Sequence, residues 1–190
     1  SIEEAVPQTT EIDAVELKLS NGAKVILKST DFKNDEVLFR AESPGGQSQY
    51  PDADHMSAAY AASISNESGL GDYSKTDLQK LLAGKTVSLS SWIGLYYEGL
   101  NGYAAPRDLE TLMQMINLKF TQPRKDETAF TSYISKITAY YQNILSDPTE
   151  YFFDQYSRIQ AQNHPRANRI PTKEEIEMID FDRTHEIFTD

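Results

Sequence analysis

The chain has 190 residues, enough for one domain around one core, and 39% of them are hydrophobic and 11% aromatic, which excludes a disordered chain. A net charge of -11 excludes a nucleic-acid binder, which needs a basic face against phosphate, and it opposes an anionic membrane surface. A basic peptide or protein partner is compatible with it. The absence of cysteine removes disulfides, thiolate zinc sites and cysteine nucleophiles together, without fixing a compartment.

No apolar run approaches the roughly 20 residues of a membrane helix, so no membrane insertion is expected. The first residues carry no signal-peptide pattern. Residues 1–14 read as a linker, followed by a single domain over 15–190. Residues 17–27 read as a hairpin about Asn21-Gly22, with a type I′ turn expected from that pair. Residues 37–42 form a third strand, closed by Pro44-Gly-Gly46. An alanine-rich helix over about 53–66 follows, with small side chains suited to close packing on a sheet.

Ser74 opens a short helix over 77–82 in a capping-box pattern. Two more strands are predicted. Residues 86–90 place Val87 and Leu89 on one face, and residues 92–104 carry Gly94, Gly99 and Gly102, which predict bends or bulges.

The remainder reads as helical. Leu109, Leu112, Met113, Ile116 and Phe120 recur at helical spacing after Pro106. Asp126 caps a helix with the stripe Phe130, Tyr133, Ile134, Ile137, Tyr141, Ile144 and Leu145, read as core packing rather than a peptide-lining surface. Asp147-Pro148 starts another helix, packed by Tyr151, Phe152 and Phe153. Residues 163–168 are a loop, Thr172 caps a short helix, and Asp182 is expected to cap the last. Strands followed by helices give an α+β class, with an antiparallel or mixed sheet covered by helices on one face.

Several segments carry a resemblance. These are Leu19-Ser-Asn-Gly-Ala-Lys-Val-Ile-Leu27, Ser43-Pro-Gly-Gly46, Glu67-Ser-Gly-Leu-Gly71, Leu81-Leu-Ala-Gly-Lys85, Pro106-Arg-Asp-Leu-Glu-Thr-Leu112 and Phe120-Thr-Gln-Pro-Arg-Lys125. Their order and spacing over about 17–145 resemble the repeated domain of the pitrilysin/insulinase metallopeptidases, whose zinc motif is His-x-x-Glu-His on a helix. The chain looks most like the third of four such domains in bacterial zinc proteases. The resemblance implies a metallopeptidase-repeat (LuxS/MPP-like) fold. It also implies further strands after the last helix, so an incomplete C-terminal part of the sheet and an edge open to self-association are expected.

With Gly69 matched to the glycine that follows the motif helix, the motif positions fall on Tyr60, Ala61, Ala62, Ser63 and Ile64. Tyr60 and Ile64 then stand at the ligand positions and Ser63 at the general base. The third ligand of the family falls near Tyr141, and no acidic residue occurs between Glu127 and Asp147. Catalytic zinc needs three protein ligands and a base, so the resemblance implies no catalytic residue and no metal in this chain.

Asp52, Asp54 and His55 are the other metal-like cluster, read as helix-terminal caps. His164 and His185 are read as solvated. Ser63, Ser65 and Ser68 have no histidine at a recognisable spacing, and Gly45-Gly46 reads as a turn rather than a phosphate nest. The expected function is a non-catalytic domain of a zinc metalloendopeptidase. It would contribute to a peptide-enclosing chamber and to packing against other domains of the parent, whose catalytic domain holds the zinc. The alternative is an inactive partner subunit completing the chamber of a separate active peptidase. A His-x-x-Glu-His motif elsewhere in the parent separates the two. An independent enzyme is unsupported, because no acid, base and nucleophile converge. Resembling proteins suggest a bacterial periplasm or envelope, which the residues themselves do not fix.

Overall fold

The first hairpin shows how local chemistry sets the chain. In this computed structural model, which describes residues 2–6, 13–166 and 170–190, strand β2 (Val15–Leu19) turns back into β3 (Lys24–Leu27). Gly22 N–H donates to the Leu19 carbonyl at 2.9 Å and Leu19 N–H to Ala23 at 2.9 Å. Gly22 has φ 85° whereas Asn21 stays at negative φ. The turn is therefore a three-residue loop with glycine in the left-handed position, not the predicted type I′ pair. Asn21 contributes through its side chain, whose Oδ1 accepts from Ala23 N–H at 3.1 Å.

A further strand, β1 (Ile2–Val6), pairs antiparallel with β2, giving the sheet order β1-β2-β3. The expected linker over 1–14 thus contains a strand, and residues 7–12 of it lie outside the described residues. The chain divides into two compact units, one up to Glu36 and one Val37–Asp190. The predicted single domain over 15–190 crosses that division.

The second unit is built on an antiparallel sheet in the order β4-β6-β5: β4 (Val37–Pro44), β5 (Val87–Ile93) and β6 (Tyr97–Ala104). Where one long strand over 92–104 is predicted, the chain reverses at Gly94-Leu95-Tyr96, and Gly94 N–H donates to the Tyr97 carbonyl at 2.8 Å. Gly99 and Gly102 produce no bulge; the register runs unbroken through both.

One face of this sheet is inside and one outside. Ser91, Leu100 and Ala104 are buried beneath helices, whereas Leu38 and Tyr103 on the other face are exposed. That is the predicted α+β arrangement, antiparallel and covered on one face.

The covering helices are α1 (His55–Ser68), α3 (Leu109–Thr121), α4 (Glu127–Leu145) and α7 (Phe181–Thr189), with the short α2 (Lys75–Leu81) and α6 (Lys173–Glu177) and the peripheral α5 (Pro148–Gln160). Ala58, Ala61 and Ile187 form one core cluster, against which Ile93 and Phe188 pack; the small side chains let α1 approach both α7 and β5. Gly69 ends α1 at φ 97°, where an added Cβ would lie 2.2 Å from the Tyr73 carbonyl oxygen.

Four predicted caps form, the first at Ser74, whose Oγ accepts from Asp77 N–H at 3.2 Å. Asp126 accepts from Ala129 N–H, Asp147 from Thr149 N–H, and Thr172 closes a reciprocal capping box with Glu175. The last helix is capped by Asp180, which accepts from Arg183 N–H at 2.7 Å; Asp182 instead pairs with Lys125.

Two helices turn differently from their predicted faces. In α3 the buried residues are Leu112, Met115 and Lys119, while Met113 and Phe120 are exposed. In α5 the rings of Tyr151, Phe152 and Phe153 are exposed, as are Tyr156 and Ile159. The buried side of α5 is polar. Asp154 accepts from Arg158 Nε at 2.6 Å and from Ile170 N–H at 3.1 Å, and Arg158 donates to the Ile170 carbonyl at 2.6 Å.

Candidate functional site

Helix α1 packs against α4, and this apposition brings together the positions singled out in the sequence. Tyr60 Oη donates to Tyr141 Oη at 3.2 Å. The Tyr60 ring meets the edge of Tyr133 at 6.4 Å between centroids. Ile64 is buried with Met56, Ile137, Ile176 and Ile179, while Phe130, Tyr133, Ile134 and Tyr141 pack against this cluster. The aromatic stripe of α4 is core packing.

The electrostatics of this cluster follow from burial. The Tyr60 phenol is pushed far above its ordinary value, first by burial and then by its hydrogen bond to Tyr141. Burial likewise raises Tyr133, with the Ser63 hydroxyl pulling the other way.

A zinc ion does not fit these residues. Tyr60 is held as a neutral phenol, Ile64 offers hydrocarbon and Ser63 a neutral hydroxyl, so the cluster supplies neither the anionic or imidazole ligands nor the base that zinc hydrolysis requires. Among the described residues no group of three His, Asp or Glu side chains is placed to hold a metal ion.

The carboxylates near the start of α1 do not cap it. Asp54 accepts from Arg183 Nη2 at 2.8 Å and Nε at 3.0 Å. Asp52 accepts from Arg166 Nε at 2.6 Å, and that guanidinium, which also donates to the carbonyls of Gln47 and Tyr50, holds the Asp52 carboxyl below its usual range. Arginine outcompetes the helix amides because a fork of charged donors binds carboxylate more strongly than one backbone N–H. These pairs tie α1's entry to the loop after α5 and to α7. His55 Nδ1 lies 2.8 Å from the Asp52 carbonyl, and its buried Nε2 has no partner among the described residues.

The remaining sequence candidates are dispersed. His164 lies in an exposed loop, where its Nδ1 accepts from Arg166 N–H at 3.1 Å; residues 167–169 of that loop lie outside the described residues. His185 is on α7, its imidazole pulled below the ordinary value first by burial and then by Lys125. It shares a cleft with Ser65 and Ser68, but the cleft holds about 10 Å³, less than one water needs. Ser68 Oγ is committed to the Ile64 carbonyl at 2.9 Å.

Gly45-Gly46 is a turn. The amides of Gly45, Gln47 and Ser48 donate to the carbonyls of Tyr96, Gly94 and Leu95, which leaves no open nest for an anion.

A feature outside the sequence-based candidates is a cavity of about 290 Å³ within the second unit, between the inner sheet face, the end of α3 and α7. Its walls are apolar, with Leu100, Ile187 and Phe188. Lys119 lies at its buried end. Its ammonium donates to Ser65 Oγ at 3.2 Å, to the Ser65 carbonyl at 3.4 Å and to Asn66 Oδ1 at 3.4 Å, and it sits 5.3 Å from the Phe188 ring centroid.

Those contacts are long for a charged donor, and no described carboxylate pairs with Lys119. Burial alone pulls the amine down to about 8. No signal in the sequence distinguished Lys119. It falls outside the stripe drawn through Met113 and Phe120, and only the true phase of α3 turns it inward.

No family model matches the chain. It is 26% identical over 171 residues to the Haemophilus influenzae protein named "Probable zinc protease PqqL", covering 90% of this chain and 18% of that protein. It is 32% identical over 130 residues to the "Zinc protease PQQL-like" of Arabidopsis thaliana, covering 67% of this chain and 13% of that protein. The chain thus spans less than a fifth of the length of the curated relatives it matches.

Among solved structures, the periplasmic protease PqqL from Escherichia coli superposes with a TM-score of 0.79 at 21% identity, over 100% of this chain and 20% of that one. A mutant of the ferredoxin protease FusC, in complex with Arabidopsis ferredoxin, superposes at 0.74 and 18% identity, over 100% of this chain and 21% of that one. The chain is therefore homologous to the PqqL-type zinc proteases of the pitrilysin/insulinase kind, and its α+β fold is that of their repeated domain.

Proposed function

We infer that the chain is a non-catalytic domain of a zinc-dependent metalloendopeptidase, with hydrolysis performed by another domain of the longer protein. The observation that carries this reading is the phenol–phenol hydrogen bond between Tyr60 and Tyr141. It stands where the resemblance puts a ligand of the motif helix against the third ligand. Two packed helices keep the apposition while the residues on them build core instead of a metal site. The domain would serve as part of the wall around an enclosed peptide and as packing surface for its neighbours. Zinc would reside in the catalytic domain of the parent.

Two measurements test this. The purified, metal-replete chain is assayed for zinc per molecule and for cleavage of a quenched peptide panel; neither is expected, and one zinc with chelator-sensitive cleavage would overturn the reading. In a full-length PqqL-type protease, deleting the matched segment is expected to abolish peptide turnover; unchanged turnover would remove the chamber role.

A further inference from the structure

We propose that the Asn66 carboxamide is a plug built into the fold: it stands in for an incoming strand on the outer edge of β5 and so keeps extended peptide from adding to the sheet there. The plug rests on hydrogen-bond geometry alone; that the excluded partner is an extended peptide rests on the peptidase-domain reading.

The strand pairing defines the edge. In the order β4-β6-β5, β5 stands last, and among the described residues no strand pairs with its far side. Antiparallel strands alternate between residues that bond across the pair and residues whose N–H and C=O point away. Gly94 N–H donates to the Tyr97 carbonyl and Ala105 N–H to the Thr86 carbonyl, both at 2.8 Å. In the register that opposes Val87 to Ala104 and Ile93 to Glu98, those bonds put Ser88, Ser90 and Trp92 in the bonded set. Val87, Leu89, Ser91 and Ile93 therefore turn their backbone groups to the outer edge.

Such a row of outward backbone groups is a template for strand addition. Asn66 interrupts it. Its Oδ1 accepts from Ser91 N–H at 3.0 Å and its Nδ2 donates to the Ser91 carbonyl at 2.9 Å. One side-chain amide thus takes both groups that an added strand would use, with the same donor and acceptor that a peptide backbone offers. The Lys119 ammonium, 3.4 Å from Oδ1, fixes which way the amide points, because both groups facing that oxygen are donors.

Helix α1 holds the plug in place. Asn66 lies in its last turn, half-buried between the buried Ser65 and Ser68, and α1 packs against β5. Asparagine is a poor helix former; here the two bonds to Ser91 offset that cost. The next outward residue is engaged as well, since Gln47 Nε2 donates to the Ile93 carbonyl at 3.4 Å. That leaves the Val87 to Leu89 part of the edge, a run of about three residues against the roughly 5–6 of an ordinary strand.

Fluorescence anisotropy of the labelled peptide Lys-Thr-Val-Thr-Val-Thr-Lys reads strand addition to the 190-residue chain, and its basic ends suit the net charge of -11. The unmodified chain is expected to bind it weakly or not at all. Asn66→Ala, which frees both Ser91 groups, should bind it at least about tenfold more tightly, the gain expected of two backbone hydrogen bonds. The same peptide N-methylated at two adjacent central amides, which blocks both of its edges, should lose that gain. Residue-resolved amide exchange gives a readout without ligand: Ser91 should exchange at least about tenfold faster in Asn66→Ala, with Leu89 unchanged.

Asn66→Ser, whose hydroxyl is too short to span both groups, repeats the comparison if the alanine variant loses its near-ultraviolet spectrum. The proposal is overturned by equal affinity of the unmodified chain and a folded Asn66 variant, or by unchanged exchange at Ser91. A gain that survives N-methylation would rule out strand addition as its cause and overturn the proposal too. These outcomes leave the zinc assay and the segment-deletion test untouched, so each reading can fail alone.

Discussion

The α1–α4 interface and the Lys119 cavity lie in one unit, yet they treat buried polar groups in opposite ways. At the interface the hydroxyls of Tyr60 and Tyr141 satisfy each other and the surrounding aliphatics close the space. In the cavity a lysine and a serine are buried with weak partners or none, and space remains beside them. Matched polar groups are part of the core; unmatched ones are a standing cost to stability. Where the polar groups are matched, truncation should destabilise the fold; where they are not, it should stabilise it.

The largest effect is expected at the best-matched pair. Asp154 has 1% of its side chain exposed and serves both Arg158 and the Ile170 amide. Asp154→Ala should cost about 3–5 kcal/mol, because it strands a partly buried guanidinium; chemical denaturation measures it, and a loss below about 1 kcal/mol would break the comparison from the matched side.

Lys119→Met should do the reverse and raise stability at pH 7 by roughly 1–3 kcal/mol. The sign with pH follows from the amine being held at about 8, below its ordinary 10.5. Between those values the unfolded chain binds more protons than the folded one, so the contribution of Lys119 to stability improves as pH rises. The gap between the variant and the parent should be full below pH 8 and close towards 10.5. A gap that widens with pH would show that Lys119 is stabilised in its charged form.

A smaller effect sharpens the matched side. Tyr60→Phe and Tyr141→Phe should each cost about 1 kcal/mol, and the double variant less than the sum, with a coupling of roughly 0.5–1.5 kcal/mol. Strict additivity would mean that the two hydroxyls are not partners. The smallest change is expected at Phe152, 61% exposed. Phe152→Ser should shift stability by no more than about 0.5 kcal/mol, and a larger loss would place that ring in a core.

Much of the frame was legible because it is set by near neighbours in the sequence. Asp126, Asp147 and Thr172 cap helices through bonds two or three residues away, and the α4 stripe repeats long enough to fix its face. The resemblance placed Tyr60 and Tyr141 on facing helices although 81 residues separate them.

What escaped was decided by distant groups. In α3 two overlapping apolar arcs share Leu112, and only packing on the sheet selects the one that carries Met115 and Lys119 inward. The capping expectation for Asp52 and Asp54 failed because arginines 114 and 129 residues away claim their oxygens. The reversal at Gly94-Leu95-Tyr96 was hidden by apolar residues that continue through it.

Helix α5 has a consequence for handling the chain in solution. Asp154 and Arg158 latch one side of it to Ile170, so the helix cannot roll to hide the rings of Phe152, Phe153 and Tyr156 on the other. Copies of the isolated chain are kept apart by a shared charge of -11 rather than by a polar coat over those rings. That protection is long-range and fades as the Debye length shrinks from about 10 Å at 0.1 M salt to about 3 Å at 1 M. The protein should therefore be colloidally most secure in dilute buffer, and added salt should make it clump rather than dissolve.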